Sequence, residues 1–216
     1  MILSGAEKEL LALAERVDAP IVSTLMGLGA VSATNDRMLG MLGMHGTHAA
    51  NIAMQRCDLL IAVGVRFSDR ALGDASRFAP NAKVLHIDID RAELGKNISP
   101  DMSMWGDVKE ILSQILEVVP QCEHPEWVKE VEGYRQVSKT LEFGGFNPRT
   151  IIEEVNKHMA PDTVVATDVG QHQMWTMQYY KFEAPHTLLS SGGLGTMVYG
   201  LGAAIGRCFA SGKKRT

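Results

Sequence analysis

The stretch Ser190-Ser191-Gly192-Gly193-Leu194-Gly195-Thr196-Met197 sets three glycines among hydroxyl side chains and ends on a long apolar one. Glycines at a strand-to-helix corner let main chain approach a bulky ligand closely. Upstream, Asp168-Val169-Gly170-Gln171-His172-Gln173-Met174-Trp175 places several hydrogen-bonding side chains just after a strand-like run and pairs naturally with that corner. Met174 and Met197 offer polarizable apolar surface suited to packing on a heterocycle. With 12 methionines in the chain, composition alone favours reading both as core residues.

A second set of corners has different chemistry. Thr24-Leu25-Met26-Gly27-Leu28-Gly29 follows one predicted strand, Leu42-Gly43-Met44-His45-Gly46 lies between elements, and Gly64-Val65-Arg66-Phe67-Ser68-Asp69-Arg70 follows a second strand. Asp88-Ile89-Asp90 ends a third. In open α/β sheets ligands bind outside the carboxyl ends of the strands. Glycine main chain for close approach, Arg66 and Arg70 for phosphates, and a strand-tip carboxylate for ribose hydroxyls together suit a dinucleotide. Each part also has a purely structural explanation: Arg66 and Arg70 can pair with Asp69 and Asp74, and Asp88 and Asp90 can cap a following element. Two carboxylates at alternate strand positions point to opposite faces, so a metal shared by Asp88 and Asp90 is rejected. No Gly-x-Gly-x-x-Gly opens the first helix, which argues against a nicotinamide dehydrogenase.

Alternating helix and strand patterns position these corners and predict an α/β fold with a doubly wound parallel sheet. Leu10, Leu13, Ala14 and Val17 share a helical face, and Ala19 to Thr24 reads as a strand. Asn51 to Cys57 is a short helix leading into Asp58 to Val63, an apolar run of the kind buried on both faces. Lys83 to Ile89 is the third strand, and Asp107 caps a helix whose Val108, Ile111, Leu112 and Ile115 share a face. This makes residues 1–120 a first domain. Residues 121–146 read as a polar linker with Pro125 and Gly144-Gly145, although they include an amphipathic segment with Trp127, Val131 and Tyr134. A second domain begins at 147, where Asn147-Pro148 is an N-cap followed by proline. It continues through strands at 163–167 and 187–190 and a small-residue helix at 200–209, to 216.

The 216 residues carry 45% hydrophobic and 21% charged side chains and a formal net charge of −4, ordinary for a globular protein and without a basic surface for nucleic acid. Cys57, Cys122 and Cys208 are far apart and lack a Cys-x-x-Cys pair, so neither a disulfide framework nor a zinc cluster is supported. No run approaches the roughly 20 apolar residues that cross a bilayer. The polar Ser211 to Thr216 would ordinarily lead into another strand, which reads as a truncated piece of a larger cofactor enzyme. A targeting segment beyond the N-terminus would then be hidden.

Taken in order, Thr24 to Gly29, Met41 to Thr47, Gly64 to Arg70, His86 to Asp90, Gly170 to Trp175 and Ser190 to Met197 resemble the catalytic large subunits of the acetolactate synthase (acetohydroxyacid synthase) family. The likeness is collinear over nearly the whole chain. It implies a three-domain thiamine diphosphate enzyme, with a central FAD-binding domain and the start of the C-terminal diphosphate-binding domain present here. Such enzymes decarboxylate pyruvate and join the two-carbon unit to pyruvate or 2-oxobutyrate in branched-chain amino-acid synthesis. Carried over, Thr24, Leu25, Leu42, Gly43, Met44, His45, Gly64, Val65, Arg66, Phe67, Ser68, Asp88, Ile89, Asp107 and Val108 would line FAD, with Gly192 and Gly193 closing on it. Gln171, His172, Gly195, Thr196 and Met197 would contact thiamine diphosphate, beside Met174. Met197 would be the wedge that bends the cofactor so that its aminopyrimidine meets the thiazolium C2 proton.

The resemblance further implies a cytoplasmic, bacterial-type homodimer or homotetramer with a regulatory small subunit, acting on 2-oxoacids. Val198 stands where the family commonly has glycine and Gly202 where it has proline. The family's activating glutamate and its magnesium loop match nothing in this chain, so the isolated chain is expected not to turn over. Two other readings are another carboligase of the superfamily, such as a glyoxylate carboligase, and a flavin-binding module without catalysis.

Overall fold

The computed structural model describes residues 1–140 and 145–211; Gly144 and the tail at 212–216 lie outside the described residues. The chain divides into two compact units, Met1–Thr24 with Leu39–Leu141 and Leu25–Met38 with Glu142–Thr216. The first contains α1 (Glu7–Arg16), β1 (Ile21–Ser23), β2 (Met38–Met41), α2 (His48–Arg56), β3 (Leu59–Val63), α3 (Asp69–Leu72), β4 (Lys83–Asp88), β5 (Met102–Trp105), α4 (Val108–Val118) and α5 (Pro125–Thr140).

Strands β3, β4 and β5 form a parallel sheet in that order, with Leu60 opposite Val84 and Ile87 opposite Met104. Side-chain alternation divides the apolar residues between two faces. Ile61, Val63, Leu85 and Ile87 meet Leu10 and Leu13 of α1 and Val108, Ile111 and Leu112 of α4. Leu60, Ala62 and Val84 pack with Met54 of α2 and with Phe67 and Phe78. The apolar run at 58–63 is thus covered on both sides, and the parallel α/β character expected from the alternating patterns is present.

Local signals fix the helix ends. The Thr47 hydroxyl accepts the Ala50 N–H at 3.2 Å and donates to Leu39 O at 2.7 Å, starting α2 three residues before the predicted Asn51. The Asp107 carboxylate accepts the Lys109 and Glu110 N–H groups as the cap of α4. Arg16 donates to Val119 O at 3.0 Å, placing a cation on the carbonyl end of α4.

Three features of the first unit were not expected. Strands β2 and β5 carry no clear alternation: β2 contains Gly40, and β5 is an edge strand whose Met102, Ser103 and Trp105 are exposed. The 121–146 linker is corrected, because Pro125–Thr140 is helix α5. Its Val131, Trp127 and Tyr134 cluster with Leu39, Ala49, Ala50 and Ala53, so the amphipathic stripe marks a packed helix.

The second unit contains α6 (Pro148–Lys157), β6 (Val165–Ala166), α7 (Gln171–Tyr179), β7 (Leu188–Leu189) and α8 (Tyr199–Ala210). Asn147 and Thr150 form a reciprocal capping box with Pro148 at the first turn of α6. β6 and β7 pair in parallel and are shorter than the predicted 163–167 and 187–190. The segment Leu25–Met38 joins this unit: Ala33 N–H donates to Phe182 O at 2.9 Å, and Gly29, at φ 85°, passes so close that a Cβ would lie 2.5 Å from Ala184 O. The expected first domain of 1–120 therefore surrenders this stretch to the second unit.

All three cysteines are free thiols. Burial, and then the charge of Asp58, push the Cys57 thiol up to about 11. At pH 8 about one Cys57 in a thousand is then thiolate, against about a quarter for an ordinary cysteine. Alkylation of Cys57 by iodoacetamide at pH 8, followed by peptide mass spectrometry, should be at least tenfold slower than that of Cys122. Equal rates would contradict the burial.

Candidate functional site

In the first unit the register of the parallel sheet brings the two predicted corners after β3 and β4 to one edge, together with the turn at Gly106–Asp107 after β5. Val63 lies opposite Ile87, and Asp88 opposite Trp105, so the carboxyl ends of β3, β4 and β5 are neighbours. Gly64 N–H donates to Ile87 O at 2.8 Å and Gly106 N–H to Asp88 O at 3.1 Å, continuing the ladder into the turns. Gly64 turns out of β3 at φ 62° and is exposed. The Asp88 carboxylate accepts the Asp90 N–H at 2.8 Å, a local turn that aims one oxygen inward, while Ile89 is 65% exposed. At the third corner the Ser4 hydroxyl, followed by the α4 N–H groups, holds the Asp107 carboxyl below its ordinary value.

The loop Leu42–Gly46 lies against the corner after β3. Met44 N–H donates to Arg70 O at 2.9 Å, and a Cβ on Gly43, which has φ 105°, would stand 2.4 Å from Arg70 O and 2.9 Å from Ala71 Cα. Asn51 of α2 secures the loop twice, accepting the Gly43 N–H at 2.9 Å and donating to Gly43 O at 3.0 Å. Asn97 donates to Arg66 O at 2.9 Å and holds the other loop. Neither asparagine was anticipated. Asn51 had a signal, a polar residue beside Ala50 and Ala53 in the first turn of a helix, whereas Asn97 had none.

The side chains around this edge divide plainly. Gly64, Arg66, Ser68, Ile89 and Met44 are exposed, and Leu42, Gly43, His45, Val65 and Asp107 are half-buried. Phe67 and Val108 are corrected: at 4% and 3% exposure their side chains are core, so only their main chain faces outward. The pairing of Arg66 and Arg70 with Asp69 and Asp74 does not occur among the described residues. Asp69 instead accepts the Arg70 N–H, and Asp74 binds Ser76.

The second unit repeats the arrangement on a smaller scale. Thr167 N–H donates to Leu189 O at 2.9 Å, setting the ends of β6 and β7 side by side. Below them the buried Ser190 hydroxyl receives hydrogen bonds from Thr167 Oγ1 at 3.1 Å and Gln173 Nε2 at 2.6 Å. The Asp168 carboxylate accepts both the Val169 N–H at 2.8 Å and the Val198 N–H at 3.0 Å. That bond carries the Gly195–Met197 corner to the strand end from which Gln171 and His172 begin α7. Gly200 allows it, since a Cβ there would stand 2.8 Å from Asp168 N. Gln171, His172, Gly193, Gly195, Thr196 and Met197 are exposed, and Met174 is half-buried. Met197, 76% exposed, is no core residue. Gly192 lies against Leu25 and Met26, where a Cβ would be 2.8 Å and 2.7 Å from their side chains, whereas Gly193 and Gly195 border open space.

Both regions that carry these strand-end corners fall within stretches that match known families. Residues 1–115 match the thiamine pyrophosphate enzyme central domain, and residues 168–216 match the thiamine pyrophosphate enzyme C-terminal TPP binding domain. The chain belongs to the thiamine pyrophosphate enzyme family. Among its similar proteins are a probable acetolactate synthase large subunit of Methanocaldococcus jannaschii, 42% identical over 95% of this chain and 37% of that protein, and the acetolactate synthase isozyme 3 large subunit of Escherichia coli, 40% identical over 95% and 38%. The acetolactate synthase large subunit of Corynebacterium glutamicum is 42% identical over 95% of this chain and 34% of its own length. The chain therefore spans well under half the length of these relatives.

The second unit suits thiamine pyrophosphate: open space at Gly193 and Gly195 admits a ligand, and the exposed Met197 offers apolar surface next to Val198, whose N–H is held by Asp168. The edge of the first unit offers exposed Gly64 and Arg66, whereas the Asp88 side chain, expected to face a ligand, is buried at 6% exposure and accepts the Asp90 N–H. Among the described residues no group of His, Cys, Asp or Glu is placed to hold a metal ion, and no helix is long and apolar enough to cross a membrane.

Gly43→Ala should destabilise the chain by about 2–4 kcal/mol, combining a left-handed backbone with main-chain overlap. Gly5→Ala, at φ 58° and ψ 43° in open space, should lose only about 1 kcal/mol. Urea unfolding of the two variants checks the difference. Val198 occupies the left-handed region at φ 67°, so Val198→Gly should stabilise the second unit by about 1 kcal/mol. A lower urea midpoint in that variant would contradict the strain.

Proposed function

We propose that this chain supplies the central domain and the start of the C-terminal domain of an acetolactate synthase catalytic large subunit. The enzyme decarboxylates pyruvate and condenses the hydroxyethyl unit with pyruvate or 2-oxobutyrate. The observation that carries this reading is the Asp168 latch at the end of β6, whose carboxylate accepts the Val198 N–H next to exposed Met197, with Gln171 and His172 opening α7 three residues after Asp168. Relatives named acetolactate synthase large subunit, similar over 95% of the chain, support it.

In this reading thiamine diphosphate supplies the electron sink for decarboxylation. Gln171 and His172 contact the diphosphate from the start of α7, where main-chain N–H groups favour an anion. Met197 and Met174 wall the thiazolium side with apolar surface and exclude water, which favours loss of carboxylate charge. Gly195 and Thr196 give the close approach. By the family resemblance, Thr24, Leu25, Leu42 to His45, Gly64 to Ser68, Asp88, Ile89, Asp107, Val108, Gly192 and Gly193 are assigned to FAD. FAD carries no net redox role, so none of these residues is assigned to hydride transfer. Magnesium accompanies the diphosphate, and no residue of this chain is assigned to it. The enzyme is read as a cytoplasmic homodimer or homotetramer with a regulatory small subunit.

The protein carrying this chain, given pyruvate, Mg2+, thiamine diphosphate and FAD, should release CO2 and form 2-acetolactate. Met197→Gly should lower kcat at least tenfold with little change in folding stability, because the side chain is exposed. Product formed from glyoxylate and not from pyruvate would favour a glyoxylate carboligase. Retention of FAD by the desalted chain, read from its absorbance spectrum, tests the flavin assignment separately.

A further inference from the structure

His86 of β4 is fully buried, with none of its surface exposed, yet only one of its ring nitrogens has a partner. Nε2 lies 3.0 Å from Val65 O. A carbonyl only accepts, so the proton is on Nε2 and Nδ1 is a bare lone pair in the apolar cluster of Leu60, Ala62 and Val84. A polar ring whose second nitrogen goes unsatisfied is a poor way to fill a core. The position requires what the first nitrogen does.

That nitrogen holds the corner after β3 from beneath. Val65 is the second residue of the turn that begins at Gly64, and its carbonyl is drawn inward by the imidazole. The same ring meets Phe67 edge-to-face, with centroids 5.0 Å apart at 75°, and Phe67 leans in turn on Phe78 at 6.0 Å. Phe67 itself has φ 51°, a conformation that a bulky residue holds only when its surroundings over-determine it. With Val65 O and Phe67 fixed inward, the intervening Arg66 is left facing outward, its own carbonyl tied to Asn97.

We propose that His86 is a positioning residue that locks the Gly64–Ser68 corner into the conformation that presents Arg66 and the adjoining main chain to the dinucleotide. It touches no ligand itself and acts through Val65 O and Phe67. The proposal rests on the reading that this edge takes FAD, and its test separates the two. His86→Phe keeps a ring against Phe67 and removes the donor; His86→Gln restores an N–H donor at the reach of Nε2 without the ring.

Amide hydrogen exchange of residues 64–70 in the ligand-free chain, followed by FAD titration of the same samples, decides it. In His86→Phe, exchange at 64–70 and the FAD Kd should each rise about tenfold or more, while exchange in α1 and α4 stays unchanged; His86→Gln should bring both within about threefold of wild type. Unchanged exchange at 64–70 in His86→Phe overturns the proposal, as does raised exchange with unaltered FAD affinity. Should His86→Phe not fold, His86→Asn, too short to reach Val65 O, provides the same comparison. Absence of FAD uptake by the protein carrying this chain would remove the flavin reading, and the exchange comparison alone would then decide whether His86 locks the corner.

Discussion

Parallel pairing of β3, β4 and β5 in one register is the constraint on which the first unit depends. Parallel strands place like ends together, so Gly64, Asp88 and Gly106 emerge at one edge although they are far apart in the chain. Shifting β4 by one residue would exchange Ile87 and His86 between the two faces, putting the imidazole among Leu13, Ile111 and Leu112. The apolar packing that stabilises the sheet therefore also determines which groups meet at its edge. β6 and β7 apply the same rule in the second unit with only two residues each, and their few ladder bonds are supplemented by the Thr167, Gln173 and Ser190 side chains.

Close main-chain approach is the second requirement. The loops at 42–46 and 64–72 are joined where Gly43 passes Arg70 and Ala71 at distances that exclude any side chain. Asn51 and Asn97 then satisfy carbonyl and amide groups that such tight loops leave outside regular structure. Polar side chains complete the hydrogen bonding of irregular backbone at this edge, which carries the exposed Arg66 and Ile89.

Strongly periodic or capped segments were legible from sequence. Asp107 and Asn147 cap the helices they announce, and the run from Leu60 to Val63, apolar at every position, is covered on both faces. Elements whose residues lack a period were not legible. Met38–Met41 and Met102–Trp105 become strands through pairing with partners distant in sequence, a tertiary effect that local pattern does not contain. Pro125–Thr140 was misread because its charge and flanking glycines suggested a linker, whereas three residues at helical spacing suffice to dock it on α2. Of the candidate site, the glycine corners and exposed Met197 were readable. The burial of Phe67 and Val108 was not, since a motif specifies residue types without saying whether side chain or main chain faces the ligand.

Val198 shows how strain and positioning meet in the second unit. A β-branched residue at φ 67° is held against its steric preference, and two features hold it. Asp168 captures its N–H, and Gly200 brings the first turn of α8 against the Thr167–Asp168 main chain. Had the left-handed turn relaxed, the direction of Met197, one residue earlier, would no longer be set by the strand end. An exposed side chain makes few contacts of its own to fix it, so its orientation depends on the backbone bond that follows it. The carboxylate that secures this bond stands at the start of α8, accepting the N–H of its N-cap residue Val198, where the helix dipole favours negative charge. The helix dipole thus stabilises the bond that fixes the backbone next to Met197.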